Sequence, residues 1–323
     1  MTTETRQMGE KHTGPVATPA VVTETNPPSR LAGLRGIPPL LGATLAALAA
    51  AYALPLVDLV QFALQGELYS YIILVPVVSG YLFATAPRSP LPAGSPHRLL
   101  AGVFAMLGLV AMVSRLALGS ALQRQDALAL GTVSFVAFVT AAAAFFLDRA
   151  AFRRARFPLA FLVFMAPFPI AMEQAIEVAL QHGSAPAAHA MFLLAGTTMH
   201  YHDLIFELPG IALRVAPECS GIRSTLVLFM VSLVAGHLFL RTPWKRAVIT
   251  LAVIPLALIR NGFRIFVIGQ LCIHLGPHMI DSMWHHQGGP IFFALSLVPF
   301  SILVFYLVRS ERGALRASTP AVK

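Results

Sequence analysis

The sequence predicts an all-α polytopic integral membrane protein with about eight transmembrane helices. Of its 323 residues, 57% are hydrophobic and only 11% are charged, whereas an ordinary soluble domain has about 25% charged residues. Several nearly uncharged stretches approach about 20 residues, the length that an α-helix needs to cross a hydrocarbon core of about 30 Å. These observations exclude a typical cytosolic enzyme. Two cysteines also exclude a disulfide scaffold.

The chain divides into three predicted regions. Residues 1–36 are rich in Thr and Pro and poor in large apolar groups, which is typical of a disordered tail. Residues 37–309 form the membrane domain, and residues 310–323 form a basic cytoplasmic tail. Within the membrane domain, we predict spans at about 38–62, 68–86, 98–119, 127–147, 157–178, 220–240, 247–269 and 289–308.

The positions of the basic residues predict the topology. If the N-terminus lies in the cytoplasm, 17 of the 23 Lys and Arg residues fall in cytoplasmic segments, as the positive-inside rule requires. We therefore expect both termini to be cytoplasmic. Because the positive-inside rule accounts for the excess of basic residues and the net charge of +9, we expect no nucleic-acid partner.

The longest predicted outward segment, about residues 181–217, differs from the spans. Apolar residues alternate with polar ones on both sides of Pro209–Gly210, a pattern that predicts a short extracytoplasmic β-hairpin before the sixth span. The preceding Ala185–Gly196 is rich in Ala and Leu. It predicts a short interfacial or re-entrant helix.

Three polar clusters interrupt the apolar spans, where ionisable groups are costly and need a reason. PECSGIRS (217–224) lies at the outer mouth of the sixth span, and IRNGFRI (259–265) lies inside the seventh. WHHQGG (284–289) precedes the eighth. The predicted topology brings all three towards the same side of the membrane.

Together the clusters supply the groups of a nucleophilic acyl-transfer site. Cys219 begins a helix, so unsatisfied N–H groups and the cation of Arg264 would both stabilise its thiolate. The imidazole of His285 or His286 would accept the thiol proton and later protonate a leaving amine. Arg264 would alternatively hold the oxyanion of the attacked carbonyl.

Neighbouring residues are candidates for supporting roles. Glu218 and Ser220 flank the thiol, and Arg223 follows it by four residues on one helical face, where it would bind substrate or stabilise thiolate. Asn261 precedes Arg264 by three residues and would orient its guanidinium.

Structural alternatives remain for these residues. In the alternative to catalysis, Arg264 would form an ion pair with Glu218, Glu173 or Glu177 that holds helices together. The histidine pair would be solvated at the membrane surface, and Cys272 would be a buried apolar residue or the disulfide partner of Cys219.

The motifs resemble those of the exosortase and archaeosortase family of membrane cysteine transpeptidases. The resemblance rests on PECSGIRS, on N-x-x-R at Asn261–Arg264 and on a histidine four residues before Gly289. It extends to YSYIILVPVVSGYLF (69–83), FLVFMAPFP (161–169) and LPG (208–210), and so covers roughly residues 60–308.

The resemblance implies that Cys219 is the nucleophile, with Arg264 and His285 as its partners. It also implies membrane-anchored substrates with a C-terminal sorting signal of the PEP-CTERM type: a short motif, a transmembrane helix and a basic tail. The acyl-enzyme would be a thioester, resolved by a surface acceptor associated with exopolysaccharide or by water. The site would face the periplasm from a bacterial inner membrane.

No phosphate loop, dinucleotide fingerprint or metal-ligand spacing is recognisable, so we expect no cofactor and no metal. The alternative function is that of a polysaccharide-export helper or transporter-like protein without peptidase activity, in which intramembrane arginines line a path for an anionic substrate.

Overall fold

The computed structural model describes residues 38–66, 68–86, 95–216, 220–281 and 289–317. These parts are mostly helical and include one small antiparallel sheet. In chain order the helices are α1 (Pro39–Ala51), α2 (Ala53–Gln65), α3 (Leu74–Thr85), α4 (Arg98–Leu118), α5 (Arg124–Phe146), α6 (Arg149–Phe161), α7 (Ile170–Leu194), α8 (Ile222–Phe239), α9 (Pro243–Leu251), α10 (Val253–Leu275) and α11 (Gly289–Ala317). Short 3₁₀ segments precede α3 and follow α6 and α10.

The helices identify a polytopic membrane protein. Within the described residues, five helices are long and apolar enough to cross a membrane, and seven spans result if each of two sharply bent helix pairs is one span. The remaining apolar segment, Ser70–Thr85, is shorter. It coincides with the second predicted span, so the total of eight stays a prediction.

Apolar residues on the outside of the bundle agree with a lipid environment. Side chains along α4 are apolar and exposed, as at Leu99, Val103, Met106 and Val110. The neighbouring helix α5 is mostly buried between α4, α1 and α6. An apolar surface this continuous is unusual for a soluble monomer, because in water it would be unfavourably hydrated.

Prolines explain where the helices break. The first predicted span is bent by 67° between α1 and α2, where the ring of Pro55 would clash with the carbonyl of Ala51 in a continuous helix. Pro255 has the same relation to Leu251, and there α9 gives way to α10.

The fifth predicted span differs from the structure. Residues 157–178 do not form one straight helix, because Arg149–Met165 and Ile170–Leu194 meet at 91°. The connecting segment contains Pro167 and Pro169, which remove two backbone donors and disfavour helical geometry in the residues before them. Residues 185–194, predicted as part of a separate short helix, are the C-terminal part of α7.

A polar cluster holds this bend in place. Tyr69 donates a hydrogen bond to Glu173 Oε2 at 2.5 Å, and Gln125 Nε2 donates to Glu173 and to the Phe168 carbonyl. The Ile170 N–H, at the start of α7, donates to Asp126 Oδ1 at 2.9 Å. The start of α7 is therefore fixed to the start of α5.

A three-stranded sheet follows α7 in the order β1 (His200–His202), β2 (Ile205–Leu208) and β3 (Ile211–Arg214). Leu208 pairs with Ile211 across a two-residue turn in which Gly210 has φ +85°. The structure thus has a hairpin where alternation predicts one, and adds β1, which the alternation does not reveal. That this sheet is extracytoplasmic stays a prediction.

The last helix, α11, is hydrogen-bonded to the segment that follows the C-terminus of α8. α11 continues to Ala317, beyond residue 309, where the predicted membrane domain ends. Near this end, Glu311 accepts hydrogen bonds from the N–H groups of Arg241 and Thr242 at 2.8–3.1 Å. The C-termini of α8 and α11 therefore lie at the same end of the bundle, and the N-terminus of α8 lies at the other.

Helix α10 packs closely against α7 at three glycines, one on α7 and two on α10. An added Cβ at Gly262 would lie 2.7 Å from Ala187 Cβ and 2.9 Å from the Ala188 backbone nitrogen. The close contacts pair residues whose numbers rise together along both helices: Gly183 with Leu258, Gly262 with Ala187, and Gly269 with Phe192. The two helices therefore run in the same direction with their backbones unusually close, as small-residue interfaces in membranes permit.

Substitution of Gly262 by Ala is predicted to destabilise the protein by about 1–3 kcal/mol, because the new methyl group overlaps the α7 backbone, which has little room to move. The measurement is the thermal unfolding midpoint in detergent. Gly102→Ala is the matched control, since nothing lies within 4 Å of an added Cβ there. Equal midpoints for the two variants would contradict the close α7–α10 contact.

Candidate functional site

The predicted site residues divide between described and undescribed parts of the chain. Ser220, Arg223, Asn261 and Arg264 are described. The other four, Glu218, Cys219, His285 and His286, lie outside the described residues, in the segments 217–219 and 282–288. The geometry of the site is therefore built from the residues that flank these two segments.

Helix α8 begins at a glycine turn that follows the predicted nucleophile. Gly221 is the N-terminal flanking residue of α8 and has φ +69°, a left-handed conformation that favours glycine. Its carbonyl accepts hydrogen bonds from Thr225 Oγ1 at 2.8 Å and from Ser224 Oγ at 3.0 Å. Ser220, immediately before it, is 2% exposed. The entry into α8 is thus buried and conformationally fixed.

Two adjacent residues of α10 form hydrogen bonds in different directions, one to this turn and the other to α7. Arg260 Nη2 donates to the Gly221 carbonyl at 3.2 Å and to Thr225 Oγ1 at 3.0 Å. Asn261 Nδ2 donates to Ser184 Oγ on α7 at 3.1 Å. Asn261, for which an orienting role toward Arg264 is predicted, therefore ties α10 to α7.

A side chain at Gly221 would crowd two residues of α10. An added Cβ would lie 3.0 Å from both Arg260 Nη2 and Asn261 Oδ1. The glycine of the CSG sequence therefore serves two purposes. It provides the left-handed turn, and it lets the α10 motif approach the backbone of the α8 entry.

The chain that leads into α8 contacts α10 in two places. In the α10 sequence, Arg264 lies between these two places. On one side, Gly221 is bonded to Arg260. On the other side, Val215, just before the undescribed segment, belongs to one buried apolar cluster with Ile265 and Ile268. Arg264 itself is partly buried. One helical turn, about 5.4 Å, separates it from Arg260, in the direction from which the chain enters α8.

The start of α11 lies near the same part of α10. Phe292 makes an edge-on ring contact with Phe263, at 6.0 Å between centroids. Phe263 precedes Arg264 in the chain, and Phe292 lies within one turn of Gly289, where α11 begins. The first turn of α11, which follows the segment 282–288 in the sequence, therefore lies at the level of the N-x-x-R motif.

The remaining predicted residues have less direct positions. Arg223 is exposed in the first turn of α8. Glu173, a predicted ion-pair partner of Arg264, is hydrogen-bonded to Tyr69 and Gln125. Cys272 is a free thiol, 3% exposed, in the apolar cluster beneath the sheet. Its surroundings agree with the apolar alternative.

Sequence reasoning did not identify the hydrogen bonds of Arg260, Thr225 and Ser184. A signal was present for Arg260, which stands one turn before Arg264 and shares its face of α10. A serine and a threonine three and four residues after Gly221 also indicate hydroxyl contacts to a helix entry. Ser184 lies 77 residues from Asn261, so only the packing of α7 on α10 reveals that pair.

A comparison with protein families decides the assignment. The family described as Transmembrane exosortase (Exosortase_EpsH) matches residues 63–302, about three quarters of the chain. This chain belongs to the transmembrane exosortase family. The comparisons with curated proteins and with solved structures gave no match.

Membership of the exosortase family supports a membrane transpeptidase activity and membrane substrates with sorting signals. It agrees with the multi-pass helical architecture. The matched range includes the bent pair α6–α7, the sheet and helices α8 and α10. It therefore contains the whole candidate site, including the two undescribed segments.

Substitution of Gly221 by Ala is predicted to cost more stability than the same change at Gly196. Both glycines have φ +69°, so both variants bear a left-handed alanine, at about 1–2 kcal/mol. Only Gly221 also faces Arg260 and Asn261 at 3.0 Å, while Gly196 has open space. Unfolding midpoints in detergent would measure the difference, and equal losses would contradict the tight fit at the α8 entry.

Proposed function

We propose that this exosortase is a cysteine transpeptidase that cleaves a C-terminal sorting signal from membrane-anchored proteins. Cys219 is the nucleophile, and Arg264 and His285 are its catalytic partners. The observation that carries the proposal is the attachment of the chain on both sides of Cys219 to α10, at Arg260 and at the cluster of Ile265 and Ile268. Arg264 lies between these attachments in the α10 sequence.

In the proposed reaction, His285 accepts the proton of Cys219, and the thiolate sulfur attacks the carbonyl carbon of the signal peptide bond. Arg264 stabilises the oxyanion of the tetrahedral intermediate. The carbon–nitrogen bond then breaks, and the imidazolium of His285 donates its proton to the leaving amine. The C-terminal helix and basic tail of the substrate leave, and the rest of the substrate remains as a thioester on Cys219.

An acceptor then resolves the thioester. A nucleophilic amine or hydroxyl attacks the thioester carbonyl, His285 accepts its proton, and the Cys219 thiolate departs. Transfer to a cell-surface acceptor such as an exopolysaccharide completes a transpeptidation, whereas attack by water makes the reaction a hydrolysis. Both outcomes use the same residues, so no cofactor takes part in the proposal.

The substrate is proposed to approach from within the bilayer. Its transmembrane helix docks against the bundle and presents a PEP-CTERM-like motif at the depth of the α8 entry. We assign substrate or supporting roles to Glu218, Ser220, Arg223, Asn261 and His286. Of these, Arg223 is exposed on the first turn of α8, which suits contact with the acidic part of a signal.

The proposed topology completes the assignment. Eight spans with both termini in the cytoplasm of a bacterial inner membrane place the α8 entry on the periplasmic side. The sorting signal is then cleaved after its protein has been exported. The 17 of 23 basic residues on the cytoplasmic side support this orientation through the positive-inside rule.

Substitution of Cys219 by Ala is predicted to abolish release of the C-terminal piece, because the sulfur that forms the thioester is gone. The measurement is the size of a co-expressed reporter that carries a PEP-CTERM-type signal. Cys272→Ala is the control and retains processing, because Cys272 is buried beneath the sheet. Unchanged processing by Cys219→Ala would remove the nucleophile assignment and favour the export-helper function.

The two adjacent histidines are predicted to differ in effect. His285→Ala lowers the initial rate of processing by about 10² to 10⁴, the usual contribution of a general acid–base group. His286→Ala lowers it by a few-fold at most. Initial rates of reporter cleavage in membranes measure both, with immunoblots to confirm equal amounts of each variant. The opposite order would assign the imidazole to His286, and no effect in either variant would remove the histidine from the mechanism.

A further inference from the structure

We propose that Arg260 is a positioning residue for the Cys219 nucleophile and supplies a second fixed positive charge beside its thiolate. The inference rests on the proposed cysteine chemistry and deepens it. Its structural basis is a buried guanidinium that contacts the turn immediately after the predicted nucleophile. The resemblance to exosortases assigns a role to the N-x-x-R arginine, Arg264, and none to Arg260.

The first argument is the direct contact with the turn. Arg260 Nη2 donates to the carbonyl of Gly221 and to the hydroxyl of Thr225. Cys219 stands two residues before Gly221, so chain connectivity keeps their Cα atoms within about 7.6 Å. Movement of Arg260 therefore transmits directly to the backbone that presents the thiol.

The second argument is the cost of the charge. Arg260 is 7% exposed and lies inside a helix that is long and apolar enough to span the membrane, where a charged group is expensive. Among the described residues, both of its hydrogen-bond acceptors are neutral, and Nη1 has no partner. A neutral donor would satisfy the same two acceptors, so the turn alone does not explain the positive charge.

The third argument is the second arginine on the same face of α10. Arg264 lies four residues after Arg260, and like charges at this spacing repel each other. Two cations so close at a buried helix entry raise the positive potential there, which stabilises an anion next to them. The thiolate of Cys219 is the anion that the proposed reaction forms there.

Other charged groups also lie on the elements around the α8 entry. They include Arg223 on α8, Arg264 on α10, Glu173, Glu177, His182 and His189 on α7, and Glu218, His285 and His286 outside the described residues. All of these stay unchanged when Arg260 alone is substituted. A change in thiol reactivity in such a variant therefore measures the effect of the Arg260 side chain on Cys219.

The test measures the reactivity of the Cys219 thiol without substrate. The full chain carries Cys272→Ala, so that Cys219 is its one thiol, and the alkylation rate by iodoacetamide is followed by mass spectrometry across pH. Arg260→Gln is expected to lower the alkylation rate near pH 7 about ten-fold, equivalent to one pKa unit, and the rate is expected to recover at higher pH.

Arg260→Lys restores the charge and keeps the pH profile within about three-fold of the parent protein, about half a pKa unit. Arg312→Gln, an exposed arginine at the opposite end of α11, is the matched control and leaves the profile unchanged.

A second variant keeps the inference falsifiable if Arg260→Gln does not fold. Thr225→Val removes one acceptor of Arg260 Nη2 and is similar in shape. It is expected to lower kcat for reporter cleavage about three-fold with KM unchanged, because the nucleophile and not the substrate contact is disturbed. An unchanged alkylation profile in a folded Arg260→Gln variant would overturn the inference, and so would an unchanged kcat in Thr225→Val.

The outcomes also separate this inference from the proposed function. If Cys219→Ala still processes the reporter, the proposed function fails whatever Arg260 does. If Cys219→Ala is inactive while Arg260→Gln alters neither alkylation nor cleavage, only the role of Arg260 fails.

Discussion

The close packing of α10 against α7 is the constraint on which the rest of the site depends. Between the two helices, Gly262 lies so close to Ala187 and Ala188 that a methyl group does not fit. At this separation Asn261 reaches Ser184 with a hydrogen bond of 3.1 Å. Since lipid tails are as apolar as the helices themselves, such contacts and hydrogen bonds drive association within the membrane. They fix the rotation of α10, and with it the direction in which its arginines point.

That rotation explains how a polar site is maintained in an apolar bundle. Asn261 points to α7, while Arg260 points to the entry of α8 and bonds Gly221 and Thr225. Buried polar groups are tolerated when they are hydrogen-bonded. At the α8 entry, polar side chains from three helices form such hydrogen bonds, and the predicted nucleophile directly precedes this entry in the sequence.

The bend between α6 and α7 makes this arrangement possible. The angle of 91° turns the chain away from α6, so that α7 packs along α10. The cluster of Tyr69, Gln125 and Glu173 holds the bend against the start of α5. The N-terminal helices thus act as a support for the site, although the motif residues all lie in the C-terminal half of the chain.

The sequence by itself determined the class of the protein and the identity of its chemical groups. Low charge and apolar stretches are local properties, so they identified a polytopic membrane protein, and the motifs around Cys219, Arg264 and His285 identified the exosortase family. The alternation around Pro209–Gly210 located a hairpin, because period-two patterning and turn residues act over a few positions.

The tertiary structure decided what depends on contacts between distant segments. The fifth predicted span is bent by 91° and not one continuous helix. Prolines at 167 and 169 combine with two hydrogen bonds to hold this turn: Gln125 donates to the Phe168 carbonyl, and Asp126 accepts from the Ile170 N–H. The hydrogen bond from Tyr69 to Glu173 joins residues 104 positions apart. The contacts of Arg260 with Gly221 and of Asn261 with Ser184 join residues 39 and 77 positions apart. No local pattern encodes such pairs, because helix packing alone sets which faces meet.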